Sequence, residues 1–255
     1  MKPNLKISLA IGYLLLAFSY YSAAQTNVKD SALTFPMIKL SYAFQEPGGD
    51  LANRFGYNSN IATGFSIKTK HNLILGADGS FIFGNQVKQN GILDSLKNSS
   101  GWIINQNGIP STVRLFERGF TVSFYVGKMF HVLAPNPNSG IVIYGGPTYL
   151  YHKIQINDIG HQVPELTSGY LKGYDRLSAG FGFNEFIGYF YFGNKRLINF
   201  FGGIELIQGF TKSVRGYNYD LRQTDTAMRK DFLYGIRVGW ILPLYRKTLQ
   251  QYYYY

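Results

Sequence analysis

The chain has 255 residues, no cysteine, a formal net charge of +11 and a pI of about 9.6. Without cysteine there is no disulfide staple, no thiolate nucleophile and no cysteine-held metal. Aromatic residues make up 17% and charged residues only 15%, too apolar for a disordered basic tail, and the basic residues are scattered among aromatic runs, which argues against a nucleic-acid partner.

Residues 1–24 read as an export signal. Lys2 and Lys6 give a basic start, Ile7 to Phe18 an apolar stretch, and Ser22-Ala23-Ala24 a small-x-small cleavage site before Gln25. The apolar stretch is shorter than the roughly 20 residues of a membrane-spanning helix. The remainder, 25–255, is expected to form one domain. The mean hydropathy of the whole chain is -0.09, and no run after residue 24 is long and apolar enough for a membrane helix.

Eight strand-like runs follow. The first is Pro36 to Phe44, with Ile38, Leu40, Tyr42 and Phe44 on one face and Lys39, Ser41 and Ala43 on the other. The second, Asn60 to Lys68, sets Ile61, Phe65 and Ile67 against Ala62, Gly64 and Ser66. A tight turn leads to the third, Leu73 to Gly84, where Leu75, Phe81 and Phe83 oppose Gly76, Asp78 and Ser80. The fourth is Phe120 to Phe130. The fifth, Ile141 to His152, has its alternation blurred by Gly145-Gly146-Pro147, so its facing is left open. The sixth is Leu177 to Phe192 and the seventh Ile198 to Phe210. The eighth, Phe232 to Leu244, is the clearest: Phe232, Tyr234, Ile236, Val238, Trp240, Leu242 and Leu244 alternate with smaller residues and one Arg237. Long connectors follow odd strands and short turns follow even ones. That is the plan of a closed antiparallel barrel spanning 35–245, large apolar residues turned to lipid and small polar ones to the lumen, with 246–255 as a periplasmic tail.

In this pattern the chain resembles the small eight-stranded outer-membrane barrels of Gram-negative bacteria, the OmpA and OmpX type, and its Tyr-rich, Asn-rich composition resembles Bacteroidota proteins of that class. The resemblance covers nearly all of residues 25–255 and is one of pattern, not of a short motif. It implies an all-β transmembrane barrel in the outer membrane, with long loops outside the cell and short turns in the periplasm.

Parity puts Lys39, Glu205 and Arg237 on the lumen face. Strands seven and eight are neighbours, and closure sets strand one beside strand eight, so the three are expected to form an ion network filling a narrow bore. Glu185 falls by simple alternation on the face of Phe181 and Phe183. A carboxylate facing lipid is costly, so the expectation is a bulge near Phe183-Asn184 that turns Glu185 inward toward Arg237 or Lys39. His71, His131, His152 and His161 have no metal-ligand spacing, and no catalytic, cofactor-binding or metal residue is assigned. An enzyme acting on lipopolysaccharide, using His152 or His161 with Ser168 and Asp158, and a narrow diffusion pore are the alternatives to a non-catalytic structural or partner-binding role. The expected partners are outer-membrane lipid and lipopolysaccharide, drawn by the basic charge, and other envelope proteins through the connector at 85–118. That connector is long and unusually apolar. It is expected to fold as a lid or to present Trp102, Ile103 and Ile104 as a contact core, with Val113, Leu115 and Phe116 extending strand four.

Overall fold

The structure, a computed structural model, describes residues 31–89, 91–160, 163–166, 169–193 and 198–245. The export signal expected at 1–24 and the tail expected at 246–255 lie outside the described residues. Eight strands close into an antiparallel barrel: β1 (Phe35–Gly49), β2 (Asn58–Lys68), β3 (Leu73–Gly84), β4 (Val113–Phe130), β5 (Gly140–Asp158), β6 (Ser178–Phe192), β7 (Asn199–Ser213) and β8 (Arg229–Pro243). Each strand pairs with its sequence neighbours, and β1 closes on β8 in the register Met37 to Pro243. A closed barrel leaves no unpaired edge, which is what hydrocarbon requires of a spanning sheet.

Alternation decides which face is which. On β1, Ile38, Leu40, Tyr42 and Phe44 are exposed while Met37, Lys39, Ser41 and Ala43 are buried. On β8, Tyr234, Ile236, Val238 and Trp240 are exposed and Arg237 is buried. The exposed set continues around the outside through Phe65, Leu75, Phe124, Ile143, Ile187 and Ile204. Such a continuous apolar exterior is stable in lipid and not in water. On β5 the pairing with β4 is interrupted at Gly146-Pro147 but resumes in the same register, and the even-numbered residues from Gly140 to Asp158 face inward.

β4 starts seven residues before the expected Phe120, and β5 runs six beyond His152. Val113 to Gly119 pair with His152 to Asp158, so this hairpin extends past the apolar exterior.

The short-turn end is closed by an apolar layer containing Phe35, Met37, Ile74, Met129, Val142, Phe190, Phe192 and Ile241. Asn138 straps the entering chain there, accepting from Leu33 N at 2.8 Å and donating to Ser31 O at 2.8 Å, while Lys68 Nζ also reaches its Oδ1 at 3.0 Å. At the long-loop end, Leu51 turns in from a single helical turn (Asp50–Asn53) and Phe55 from just after it. There they join Leu150, Ile207 and Leu233 from the strands and Ile92, Leu93, Ile103, Val163, Leu166 and Tyr174 from the loops.

Candidate functional site

The middle of the bore holds one connected polar network. Arg237 lies on β8 between small residues, which lets its long side chain cross the lumen. Its guanidinium donates to both oxygens of Glu205 on β7, at 2.9 and 2.7 Å, to Ser41 Oγ at 2.8 Å and to Asn60 Oδ1 at 3.0 Å. Glu205 also accepts from Gln45 Nε2 at 3.1 Å and Asn184 Nδ2 at 3.4 Å. Both members of the pair are buried. A buried pair is tolerable only when fork and carboxylate match and the remaining lone pairs and protons find partners, and here β1, β2 and β6 supply them.

Lys39 joins this layer through a partner that the sequence reading did not assign. Its Nζ donates to Asp78 Oδ2 on β3 at 3.0 Å, and Tyr125 OH donates to Asp78 Oδ1 at 3.1 Å. The ammonium also sits over the rings of Tyr125, Tyr144 and Phe201, at 4.6, 5.2 and 5.5 Å. Tyr144 is stacked between Tyr125 and Phe186, at 4.3 and 4.7 Å between centroids. Parity had placed Asp78 on the small face of strand three, so the signal was present; what was missing was the register that puts β3 two strands from β1.

Glu185 is a correction. β6 has no bulge: its register with β7 is continuous through Phe183, Asn184 and Glu185, and Asn184 is the inward residue. Glu185 is exposed on the outer face, with Gln208 Nε2 donating to its Oε2 at 3.3 Å. The cost of a lipid-facing carboxyl did not bend the strand, because a bulge would have flipped every later side chain of β6 to the wrong face.

Above the central network lies a second polar layer. His152 of β5 contacts Asp231 of β8 at 2.8 Å from Nε2 to Oδ2, and Thr211 Oγ1 of β7 donates to the same oxygen at 2.5 Å. The Phe55 ring sits edge-on to His152 at 5.9 Å. Arg54 donates to Ser178 Oγ at 2.9 Å, and burial lowers its guanidinium to about 10, so it stays charged at neutral pH. His152 is only 1% exposed and Asp231 0%, so both side chains are enclosed within the barrel. Asp158 is engaged elsewhere, accepting from Ser111 Oγ and Val163 N; His161 and Ser168 lie outside the described residues.

The lid divides the three residues expected to form a contact core. Ile103 is buried in the upper apolar cluster, Ile104 is half-buried, and Trp102 is 58% exposed. Trp102 ends a turn in which Asn98 Oδ1 accepts from Ser100 N and Trp102 N, and Gly101 takes φ +82. Seven residues on, the same turn recurs. Asn105 Oδ1 accepts from Asn107 N and Ile109 N, Gly108 takes φ +75, and Ile109 is 58% exposed. The shared pattern is Asn-x-x-Gly followed by a large apolar residue, a repeat only hydrogen bonding made visible.

No family model matches the chain, and no curated protein matches it in sequence. Solved structures do match. Neisserial surface protein A is 11% identical at a TM-score of 0.39, over 81% of this chain and 96% of that one. Ail, the attachment invasion locus protein of Yersinia pestis, solved with the heparin analogue sucrose octasulfate, is 10% identical at 0.37, over 82% and 99%. A major outer membrane protein of Thermus thermophilus is 11% identical at 0.40, over 82% and 99%. Independently of these, the eight-strand closure, the apolar exterior and the filled polar bore are each what a bilayer demands. By strand number, closure and exterior, the chain folds as a small eight-stranded antiparallel β-barrel with the apolar outer face of a membrane-spanning barrel.

Proposed function

We propose that this barrel is a non-catalytic component of the cell envelope, with a closed bore, that uses its lid to contact another envelope protein. The observation that carries the reading is the pair of like turns at 98–102 and 105–109. Each is fixed by an asparagine side chain, and each holds one large apolar residue in solvent, Trp102 and Ile109. Exposed apolar side chains on a fixed loop favour protein contact. Ile103 serves this surface from beneath by anchoring the loop to Ile92 and Leu93.

Outer-leaflet lipid is the second partner. Arg118, Lys153, Lys212 and Lys230 all point away from the bore, each just beyond an outward aromatic residue of its own strand: Phe120, Tyr151, Phe210 and Phe232. Arg118 lies directly opposite Lys153. Like charges in register repel, and an anionic headgroup such as a lipopolysaccharide phosphate relieves that repulsion.

The test is in-cell crosslinking followed by co-purification from gently solubilised outer membranes, comparing the natural protein with the double variant Trp102→Ala, Ile109→Ala. Both side chains are exposed, so the variant is expected to fold normally and to lose the crosslinked partner. A partner retained at full yield would move the contact off the lid.

A further inference from the structure

Glu185 has no part in the bore. It stands on the outer face of β6 between Phe183 and Ile187, opposite Gly145 on one side and Leu206 on the other. The neighbouring exterior is aliphatic, and the bare backbone of Gly145 leaves an apolar groove of ≈ 450 Å³ along its flank. Among the described residues its side chain accepts one long hydrogen bond, from Gln208 Nε2 at 3.3 Å. A carboxyl offers about four acceptor positions, so in hydrocarbon this one is under-satisfied.

We infer that Glu185 and Gln208 form the centre of a two-fold interface within the bilayer, the occupant being a second copy of this chain. Two copies inserted in the same sense and joined through one shared patch are related by an axis along the membrane normal. That rotation preserves depth and exchanges left and right where the two faces meet. β6 of one copy therefore meets β7 of the other. The carboxyl of Glu185 and the amide of Gln208 are hydrogen-bonded, so they lie at one depth. The rotation brings each Glu185 to the Gln208 of the second copy, twice over. Each carboxyl gains a further amide donor, and both polar groups leave the lipid. A lone acid would meet only its like; the acceptor on β6 beside a donor on β7 is what makes the patch self-complementary. The surrounding Ile187, Ile204 and Leu206 exchange lipid contact for protein contact. The inference goes beyond the role of the lid and depends only on the barrel standing in a bilayer.

The chain has no cysteine, so single introduced cysteines report contact cleanly. Full-length protein is reconstituted at high dilution in phospholipid vesicles. Leu206→Cys, beside the proposed axis, is expected to form disulfide-linked dimers, and Phe65→Cys on β2, across the barrel, only the background level. Counting subunits by single-molecule photobleaching, Glu185→Leu and Gln208→Leu are each expected to lower the dimer association constant by about tenfold. Glu185→Gln keeps an acceptor and is expected to keep the dimer. Both Leu variants place an aliphatic side chain in lipid, and their folding is read from gel mobility without heating. A natural protein that stays monomeric, equal crosslinking at the two cysteines, or folded Leu variants that dimerise like the natural chain would each overturn the interface.

Discussion

At the scale of single residues, the bore shows how few charges a narrow barrel holds and how completely each must be matched. Arg237 donates to Glu205, Ser41 and Asn60. Removing the acid strands a buried guanidinium. Glu205→Ala is therefore expected to destabilise the barrel by about 3–5 kcal/mol, read as a lower urea midpoint for unfolding from detergent micelles. Glu205→Gln, which retains an acceptor, should lose less. An unchanged midpoint in the alanine variant would mean that water already satisfies Arg237. Lys39 illustrates a different solution. It has one carboxylate partner, Asp78, and three aromatic faces around its ammonium, so part of its solvation comes from ring quadrupoles.

At the scale of elements, β6 and β7 approach closely where Gly188 and Gly203 are paired. A Cβ on Gly188 would lie 2.5 Å from the Phe186 ring and 2.4 Å from Gly202 O. The ring of Phe186, stacked on Tyr144, uses the space both glycines leave. Gly188→Ala is expected to cost about 1–3 kcal/mol by overpacking, again read from the unfolding midpoint. The last two loops behave as one element. Arg215 donates to both oxygens of Asp175 at 3.0 and 2.6 Å, Tyr219 N donates to Gly173 O, and Arg229 donates to Asp225. Burial works to raise the Asp225 carboxyl, but hydrogen bonds from Arg229 and Asn218 outweigh it and hold it below its ordinary 3.8. A carboxyl lowered on folding adds order that is fully present above its unfolded value and is lost as pH falls through the folded one. Hydrogen-exchange protection across 214–228, taken relative to the intrinsic exchange rate at each pH, should accordingly stay constant from neutral pH down to about pH 4 and then fall. A fall beginning near pH 6 would remove Asp225 as the cause.

At the scale of the whole molecule, the bore is closed three times: by the apolar layer around Phe35 and Phe192, by the Arg237–Glu205 and Lys39–Asp78 layer, and by the lid cluster around Phe55 and Leu93. Eight strands leave just enough interior for side chains. Purified protein in planar bilayers is therefore expected to show no steady conductance; large, long-lived channels would contradict the closed bore. Sidedness has its own check. A cysteine at Ser99, exposed on the lid, should react with an impermeant maleimide on intact cells, and one at Lys70 in the short turn after β2 should not. The reverse labelling would invert the barrel.

The sequence alone determined strand number, the facing of the strands with clean alternation, and three of the charged residues in the lumen. A period of two is local and survives without tertiary information; that is why Leu73–Gly84 could be bounded to the residue and why Lys39, Glu205 and Arg237 were all placed inward. It did not determine partners. Asp78 meets Lys39 because of the register accumulated over β1, β2 and β3, and His152 meets Asp231 because β5, β7 and β8 bring His152, Thr211 and Asp231 to one level beneath the lid. Register is a property of the closed barrel, fixed by summed pairings around the ring and not by any one strand. Glu185 marks the boundary most clearly. Its alternation pointed outward, a local energy argument pointed inward, and the ladder of β6 on β7 prevailed, because many cooperative backbone and side-chain contacts outweigh the solvation of one carboxyl.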